Sequence, residues 1–128
     1  MAVITQSNTE IVRGMYDDFN EGDIDAVLAN MAEDIEWTEP EGSTYGGTHE
    51  SPEAVLENVF EPVMDDYEEF RVECERVIDG DEMVVALGTF YATPEMGERI
   101  ESPFAHVCEL EDGRITRFVN YTDTALWQ

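Results

Sequence analysis

His106 and Asp123 are the two residues of this chain whose types and positions best suit acid–base chemistry. The stretch from Pro103 to Thr124 predicts a β-hairpin, because two runs rich in β-branched and aromatic residues flank the turn sequence EDGR at 111–114. Its Asp-Gly pair supplies the positive φ angles that a tight turn needs. His106 lies in the middle of the first strand, and Asp123 closes the second. An imidazole and a carboxylate on one sheet can form an acid–base pair.

The composition limits the partners of such a site. The chain has 128 residues, of which 42% are hydrophobic, and this suits a single domain, residues 1–128, with a proper core. Six basic residues, all Arg, oppose 31 acidic residues and give a net charge of −25. Such a field repels nucleic acid and anionic membranes, so both are excluded as partners. Because the acidic residues are spread along the whole chain, we favour a halophilic protein of a very salty cytoplasm over one with an acidic interaction surface.

The remaining composition argues against export and against metal sites. The opening MAVITQSNTE has neither a basic region nor a long apolar run, and no apolar stretch is long enough to span a membrane, so we expect a cytoplasmic protein without a signal peptide. Cys74 and Cys108 lie in predicted strands and are expected to be buried free thiols. Their spacing matches no zinc pattern, and the two His residues form no HxH or HExxH motif. We therefore expect no metal and no cofactor.

The order of helices and strands follows from hydrophobic spacing. Ser7 to Glu10 fits a capping box and starts a first helix, and Asp23 caps a second whose apolar face runs to Met31. A short strand spans 35–38, the segment 39–50 is predicted to be loop, and a third helix begins at Ser51 and is kinked or ended by Pro62. From Tyr67 onward the period changes to two, with turns at 79–81, 93–97 and 111–114. The prediction is an α+β fold in the order ααβα followed by four consecutive antiparallel strands.

Such a sheet has one face that three helices can cover and another that they leave open. Val85 and Leu87, or their neighbours of opposite parity, would remain exposed there. Burial against a second copy would remove this apolar surface from water. We therefore predict a homodimer formed through the sheet face.

Three segments carry a family resemblance. They are FNEGDIDAVLANMAEDIEW after the first helix, STYGGTHE before the helix that starts at SPEAV, and the ending HVCELEDGRITRFVNYTDT. Over residues 7–125 the chain resembles the SnoaL-like polyketide cyclase group of the nuclear-transport-factor-2-like superfamily (NTF2-like), which also includes ketosteroid isomerase and limonene epoxide hydrolase. The resemblance implies a curved sheet wrapped round helices, forming a cone with an apolar cavity that is open at one end. It also implies that His106 and Asp123 look into that cavity as catalytic residues.

Other residues are candidates for contact with a small apolar ligand. Tyr121 is preferred to Asn120 as a wall residue because it shares the parity of Asp123. Tyr16 can hold a substrate oxygen in the manner of the ketosteroid isomerases, and Tyr45 can close the mouth of the cavity. The candidate ligand-binding residues are Tyr16, Trp37, Glu39, Tyr45, Phe60, Phe90 and Tyr121.

The sequence leaves three functional hypotheses open. The first is an isomerase or cyclase that works without a cofactor, in which Asp123 takes a proton next to a carbonyl and His106 or a Tyr steadies the oxygen. Epoxide hydrolysis is disfavoured, since the strand from Met83 to Thr93 has no acid or Arg in its interior. The second hypothesis is a dimeric accessory domain that binds a small molecule without chemistry. The third, a protein adaptor, would need a further exposed apolar patch.

Overall fold

The computed structural model describes residues 7–127, which fold into helices packed on the inner face of one curved sheet. The elements are α1 (Asn8–Asn20), α2 (Ile24–Ala29), β1 (Met31–Glu39), β2 (Gly47–His49), α3 (Pro52–Val55), a π-helical turn (Leu56–Phe60), α4 (Glu61–Asp66), β3 (Tyr67–Gly80), β4 (Met83–Pro94), β5 (Ile100–Glu111), β6 (Arg114–Thr122) and a 3₁₀ helix (Thr124–Trp127). The strand order is β2-β1-β6-β5-β4-β3. Only the β1–β6 pair is parallel among these. The predicted α+β fold with four consecutive antiparallel strands is confirmed.

Helix α1 begins where its capping box predicts. The Ser7 hydroxyl accepts a hydrogen bond from the Glu10 backbone N–H. In return, the Glu10 carboxylate accepts one from the Ser7 backbone N–H. The helix buries Ile11, Met15 and Tyr16 on one side. The signal-peptide prediction rests largely on residues 1–6, which lie outside the described residues.

Helix α2 is shorter than the sequence predicts, and the strand after it is longer. The prediction that Met31 belongs to the helix is wrong, because Met31 opens β1, pairs with Ile115 of β6 and is buried there. The prediction that 39–50 is entirely loop also misses β2, which pairs with the end of β1. The hydroxyls of Thr38 and Thr48 lie 3.0 Å apart across that pair.

The helix capped by Ser51 widens into a π-helical turn before Pro62 and then continues, whereas the sequence predicts a kink or an end at Pro62. Pro62 has no N–H, and its ring crowds the carbonyl four residues earlier, so a regular α-helix cannot continue through it. The chain instead forms the π-helical turn, in which the Glu61 N–H donates to the Leu56 carbonyl. Helix α4 then continues with Pro62 in its first turn.

The two faces of β4 and β5 differ in burial by residue parity. Even-numbered residues from Val84 to Ala92 and from Ser102 to Leu110 point towards the helices, and the odd-numbered residues between them are half-buried or exposed. Gly88 is needed on the inner face, because a Cβ there would lie 2.7 Å from the Phe104 ring and would overlap the Glu73 carbonyl oxygen.

A β-bulge near the start of β6 shifts the pairing of the last hairpin by one residue. Leu110 pairs with Ile115, but Glu109 pairs with Arg117, so Thr116 is an extra residue in β6. The Thr116 hydroxyl donates to the Glu109 carbonyl at 3.1 Å. Beyond the bulge, His106 pairs with Asn120 and not with Val119.

No helix within residues 7–127 has both the length and the apolar character that a membrane crossing requires.

Candidate functional site

The inner face of the sheet, α1 and the helices around Phe60 enclose a cavity of about 90 Å³. This is room for several water molecules or for the body of a small ring compound. Its walls are mostly apolar and aromatic. The lining residues are Met15, Tyr16, Phe19, Val27, Trp37, Glu39, Ser43, Thr44, Tyr45, Val59, Phe60, Val63, Tyr67, Phe70, Val72, Phe90, His106, Phe118, Asn120, Thr122 and Trp127.

The structure brings together seven of the nine residues singled out from the sequence. His106 lies at the inner wall on β5, and six of the predicted ligand contacts also line the cavity. These six are Tyr16, Trp37, Glu39, Tyr45, Phe60 and Phe90.

Tyr121 and Asp123 lie outside the cavity. Tyr121 is on the outer face of β6 and is 58% exposed. Asp123 is exposed beyond the end of β6, where its carboxylate accepts a hydrogen bond from the Ala125 N–H and so caps the last helical turn. The expectation that Asp123 and His106 face each other in one apolar pocket is therefore wrong, as is the choice of Tyr121 over Asn120. The bulge at Thr116 is the reason, since it places the even-numbered residues of β6 on the face of His106.

His106 is held by Tyr16. The Tyr16 Oη lies 2.7 Å from His106 Nδ1. The Phe104 ring stacks on the imidazole with 3.9 Å between ring centroids, and Phe118 packs against it at 4.6 Å. Burial lowers the pKa of His106 to about 3, an effect that the Asn120 side chain partly offsets. His106 is therefore neutral at pH 7.

Glu39 is the acidic residue in the cavity wall. Its side chain accepts hydrogen bonds from Trp37 Nε1 at 2.7 Å and from Asn120 Nδ2 at 3.0 Å. Burial raises the pKa of Glu39, and these two hydrogen bonds oppose the rise. A carboxylate in apolar surroundings is a stronger base than one in water, because removal from solvent disfavours its charge.

Two buried polar atoms of this group have no hydrogen-bond partner among residues 7–127. They are Nε2 of His106 and Oδ1 of Asn120. Because buried polar groups are nearly always paired, such atoms at a cavity wall point to a ligand or to bound water.

The loop after β1 and the C-terminal 3₁₀ helix contribute Tyr45 and Trp127 to the cavity wall. Tyr45 Oη donates to a carboxylate oxygen of Asp66 at 2.7 Å, which ties the loop to the end of α4. Trp127 Nε1 donates to Ser102 Oγ at 3.1 Å, and its ring packs against Phe90. These contacts hold two aromatic rings of the wall in place.

Asn120 and Trp127 are two of the wall residues that were not predicted from the sequence. Asn120 was set aside by parity, although a polar residue between Val119 and Tyr121 in a strand is itself a signal of a polar partner. Trp127 follows the last predicted strand, and no periodic pattern assigns it to a face.

The SnoaL-like domain model matches residues 12–118. This match covers most of the chain, from within α1 to the middle of β6, and includes most of the cavity wall. The chain belongs to the SnoaL-like domain family. The expected fold and family of this SnoaL-like domain are both confirmed.

Several solved structures share the fold of this SnoaL-like domain along nearly its whole length. An NTF2-like protein from Burkholderia thailandensis is 28% identical with a TM-score of 0.91, and the match covers 96% of this chain and 95% of that one. An NTF2-like protein of unknown function from Burkholderia pseudomallei is 32% identical with a TM-score of 0.87, covering 94% of each chain. TerC, crystallised with polyporic acid, is 28% identical with a TM-score of 0.85, covering 92% of each chain. No curated protein matches the sequence.

Proposed function

We propose that this SnoaL-like domain binds a small, mainly apolar ring compound and moves a proton at a carbon next to its carbonyl group. The observation that carries the proposal is the placement of Glu39. It is 8% exposed, lies in an otherwise apolar wall, and its pKa is raised by burial. A general base works best when its pKa approaches the working pH, and burial moves a carboxyl group in that direction.

The proposed step is an isomerisation that needs no cofactor. The Glu39 carboxylate takes the proton from the carbon, and the C–H electron pair shifts so that charge develops on the carbonyl oxygen. Nε2 of the neutral His106 donates a hydrogen bond to that oxygen. The protonated Glu39 then returns the proton to another atom of the same ligand, so substrate and product have the same composition.

Three features support a ring compound as the ligand. Aromatic side chains on several sides suit the flat face of a ring. The buried polar side chains Glu39, Asn120 and His106 lie side by side on the sheet, as in small-molecule sites where a few polar groups orient the ligand. TerC, which is similar over 92% of its length, has been crystallised with polyporic acid.

The test uses β-tetralone, a two-ring ketone with acidic C–H bonds beside its carbonyl. Exchange of these protons for deuterium in D₂O is followed by NMR with and without the full chain. We expect the protein to accelerate exchange, and Glu39→Gln to lower the acceleration by about a hundredfold or more. Asp123→Asn is the matched control, since it also removes one carboxylate, and should leave the rate near that of the unaltered protein.

A second candidate is a binding domain without chemistry. It is favoured by the two hydrogen bonds that Glu39 already accepts, because they reduce its availability as a base. If β-tetralone binds and exchange is no faster than in buffer, the protein is a binder. Equal losses in Glu39→Gln and Asp123→Asn would also contradict the proposed role of Glu39.

A further inference from the structure

We infer that the cavity selects its ligand by a hydroxyl group, as in a phenol or an enol, seated between Nε2 of His106 and Oδ1 of Asn120. This inference rests on the proposed function as far as a ring compound enters the cavity, but it does not require the proton transfer. It assigns a chemical class to the ligand from two atoms that have no partner within residues 7–127.

Both atoms belong to a built site. His106 is 3% and Asn120 is 7% exposed, and both side chains line the cavity. The two residues are direct cross-strand partners in β5 and β6, so their side chains leave the sheet next to each other on the same face. The Asn120 side chain is close enough to oppose the lowering of the His106 pKa, but Nε2 and Oδ1 do not meet at hydrogen-bond geometry, so a single ligand atom can bridge them.

Tyr16 determines that His106 is a hydrogen-bond donor at Nε2. Burial raises the pKa of Tyr16 well above its usual value, so the phenol keeps its proton. If that O–H donates to Nδ1, the phenol is satisfied, whereas the reverse arrangement would leave the O–H among apolar side chains. A neutral imidazole that accepts at Nδ1 carries its proton at Nε2.

Glu39 determines in the same way that Asn120 presents an acceptor. A carboxylate can only accept, so the part of the Asn120 amide that faces Glu39 Oε1 is the NH₂ group. Trp37 holds the other carboxylate oxygen and keeps the carboxylate in place. The Asn120 oxygen consequently points away from Glu39.

A donor next to an acceptor selects a group that can do both. A hydroxyl oxygen accepts from Nε2–H while its proton is donated to Oδ1. A carbonyl or ether oxygen satisfies the donor but leaves Oδ1 buried and unpaired, which costs about tenfold or more in affinity. In the proposed proton transfer, the site would therefore hold the enol form of the ligand more tightly than the carbonyl form from which it arises. A methyl group satisfies neither atom.

The experiment compares three ligands of the same ring system: β-naphthol, its methyl ether and β-methylnaphthalene. Binding to the full chain is measured by titration calorimetry. We expect β-naphthol to bind about tenfold or more tightly than the other two. The methyl compound controls for size, because a methyl group is close in volume to a hydroxyl.

Three variants assign the preference to named atoms. Asn120→Leu should remove the preference for β-naphthol over its ether and leave the affinity for the ether nearly unchanged. His106→Phe should weaken both of these probes. Phe118→Leu, on the same face of β6, is the control and should change all affinities by a similar factor.

The outcomes separate the two proposals. Similar affinities for all three probes would overturn the hydroxyl inference and leave the proposed ring-binding cavity standing. No binding of any probe would overturn both. If Asn120→Leu does not fold, the ratio measured with the unaltered protein still decides the inference.

Discussion

The hydroxyl oxygen of Tyr16 lies 2.7 Å from Nδ1 of His106, although the two residues are 90 positions apart in the chain. This contact joins α1 to β5 and fixes the orientation of the imidazole at the cavity wall. It therefore couples the stability of the fold to the chemistry of the site.

The Tyr16–His106 contact predicts the effect of removing one hydroxyl. Tyr16→Phe leaves Nδ1 buried without a partner, so we expect the free energy of unfolding to fall by about 1–3 kcal/mol. Tyr121→Phe also removes one phenol hydroxyl, but on the outer face, and should lower the free energy of unfolding by less than about 0.5 kcal/mol. Denaturant titration measures both. Equal losses of unfolding free energy in the two variants would contradict the contact.

The same contact predicts the tautomer of His106. ¹⁵N NMR of His106 should report the Nε2–H form in the unaltered protein and a mixture of the two tautomers in Tyr16→Phe.

The buried imidazole predicts a pH dependence. The pKa of His106 is lowered to about 3 in the folded state, so the unfolded state binds a proton first as the pH falls. Its contribution to stability is therefore complete above about pH 6.5 and is lost between about pH 6.5 and 3. Because His106→Gln stays neutral, the difference in unfolding free energy between the two proteins should fall by up to about 1.4 kcal/mol per pH unit in that window. A difference that does not change with pH would mean that the imidazole has the same pKa in the folded and unfolded states, and would contradict the effect of burial.

The charge of −25 predicts a dependence on salt. The structure describes two ion pairs within residues 7–127, Arg71–Glu73 and Arg117–Glu109, so most acidic residues repel one another without compensation. Raising KCl from about 0.1 M to about 1 M shortens the screening length from about 10 Å to about 3 Å. We expect the melting temperature to rise over this range.

A variant with less charge provides the control for this prediction. It replaces five exposed Glu residues by Gln and lowers the net charge from −25 to −20: Glu41, Glu57, Glu82, Glu95 and Glu98. Its melting temperature should depend less on salt than that of the unaltered protein. The same dependence in both proteins would show that salt acts through apolar burial and not through charge screening.

The outer face of the sheet predicts a homodimer. Val85, Leu87, Ala105 and Val107 form a half-buried apolar strip across β4 and β5. Light scattering should give twice the chain mass for the unaltered protein. Val107→Asp places a charge in the strip and should give monomers, while Met96→Asp, at a site that is 91% exposed, should not. A monomeric mass for the unaltered protein would contradict this prediction.

The sequence predicted the fold well because its signals are local. The Ser7 capping box, the Asp112-Gly113 turn and the alternation along β4 each involve residues that are near one another in the chain. The candidate site was predicted only in part. His106 and six wall residues were found from residue type and family resemblance, but Asp123 and Tyr121 were placed on the wrong face because one extra residue in β6 changes the parity. No residue type or spacing indicates that Thr116 is unpaired, because its bulge depends on which residue of β6 pairs with Glu109 across the hairpin.

The bulge at Thr116 also decides which residues of β6 face the cavity. If Thr116 were drawn into the ladder, each later residue of β6 would move on by one partner, so Val119 would lie opposite His106 and Tyr121 would replace Asn120 on the inner face. Deletion of Thr116 would instead remove the extra residue and leave His106 opposite Asn120. At this one position the strand can therefore lose a residue in evolution while the amide at the wall, and with it the ligand preference, is retained.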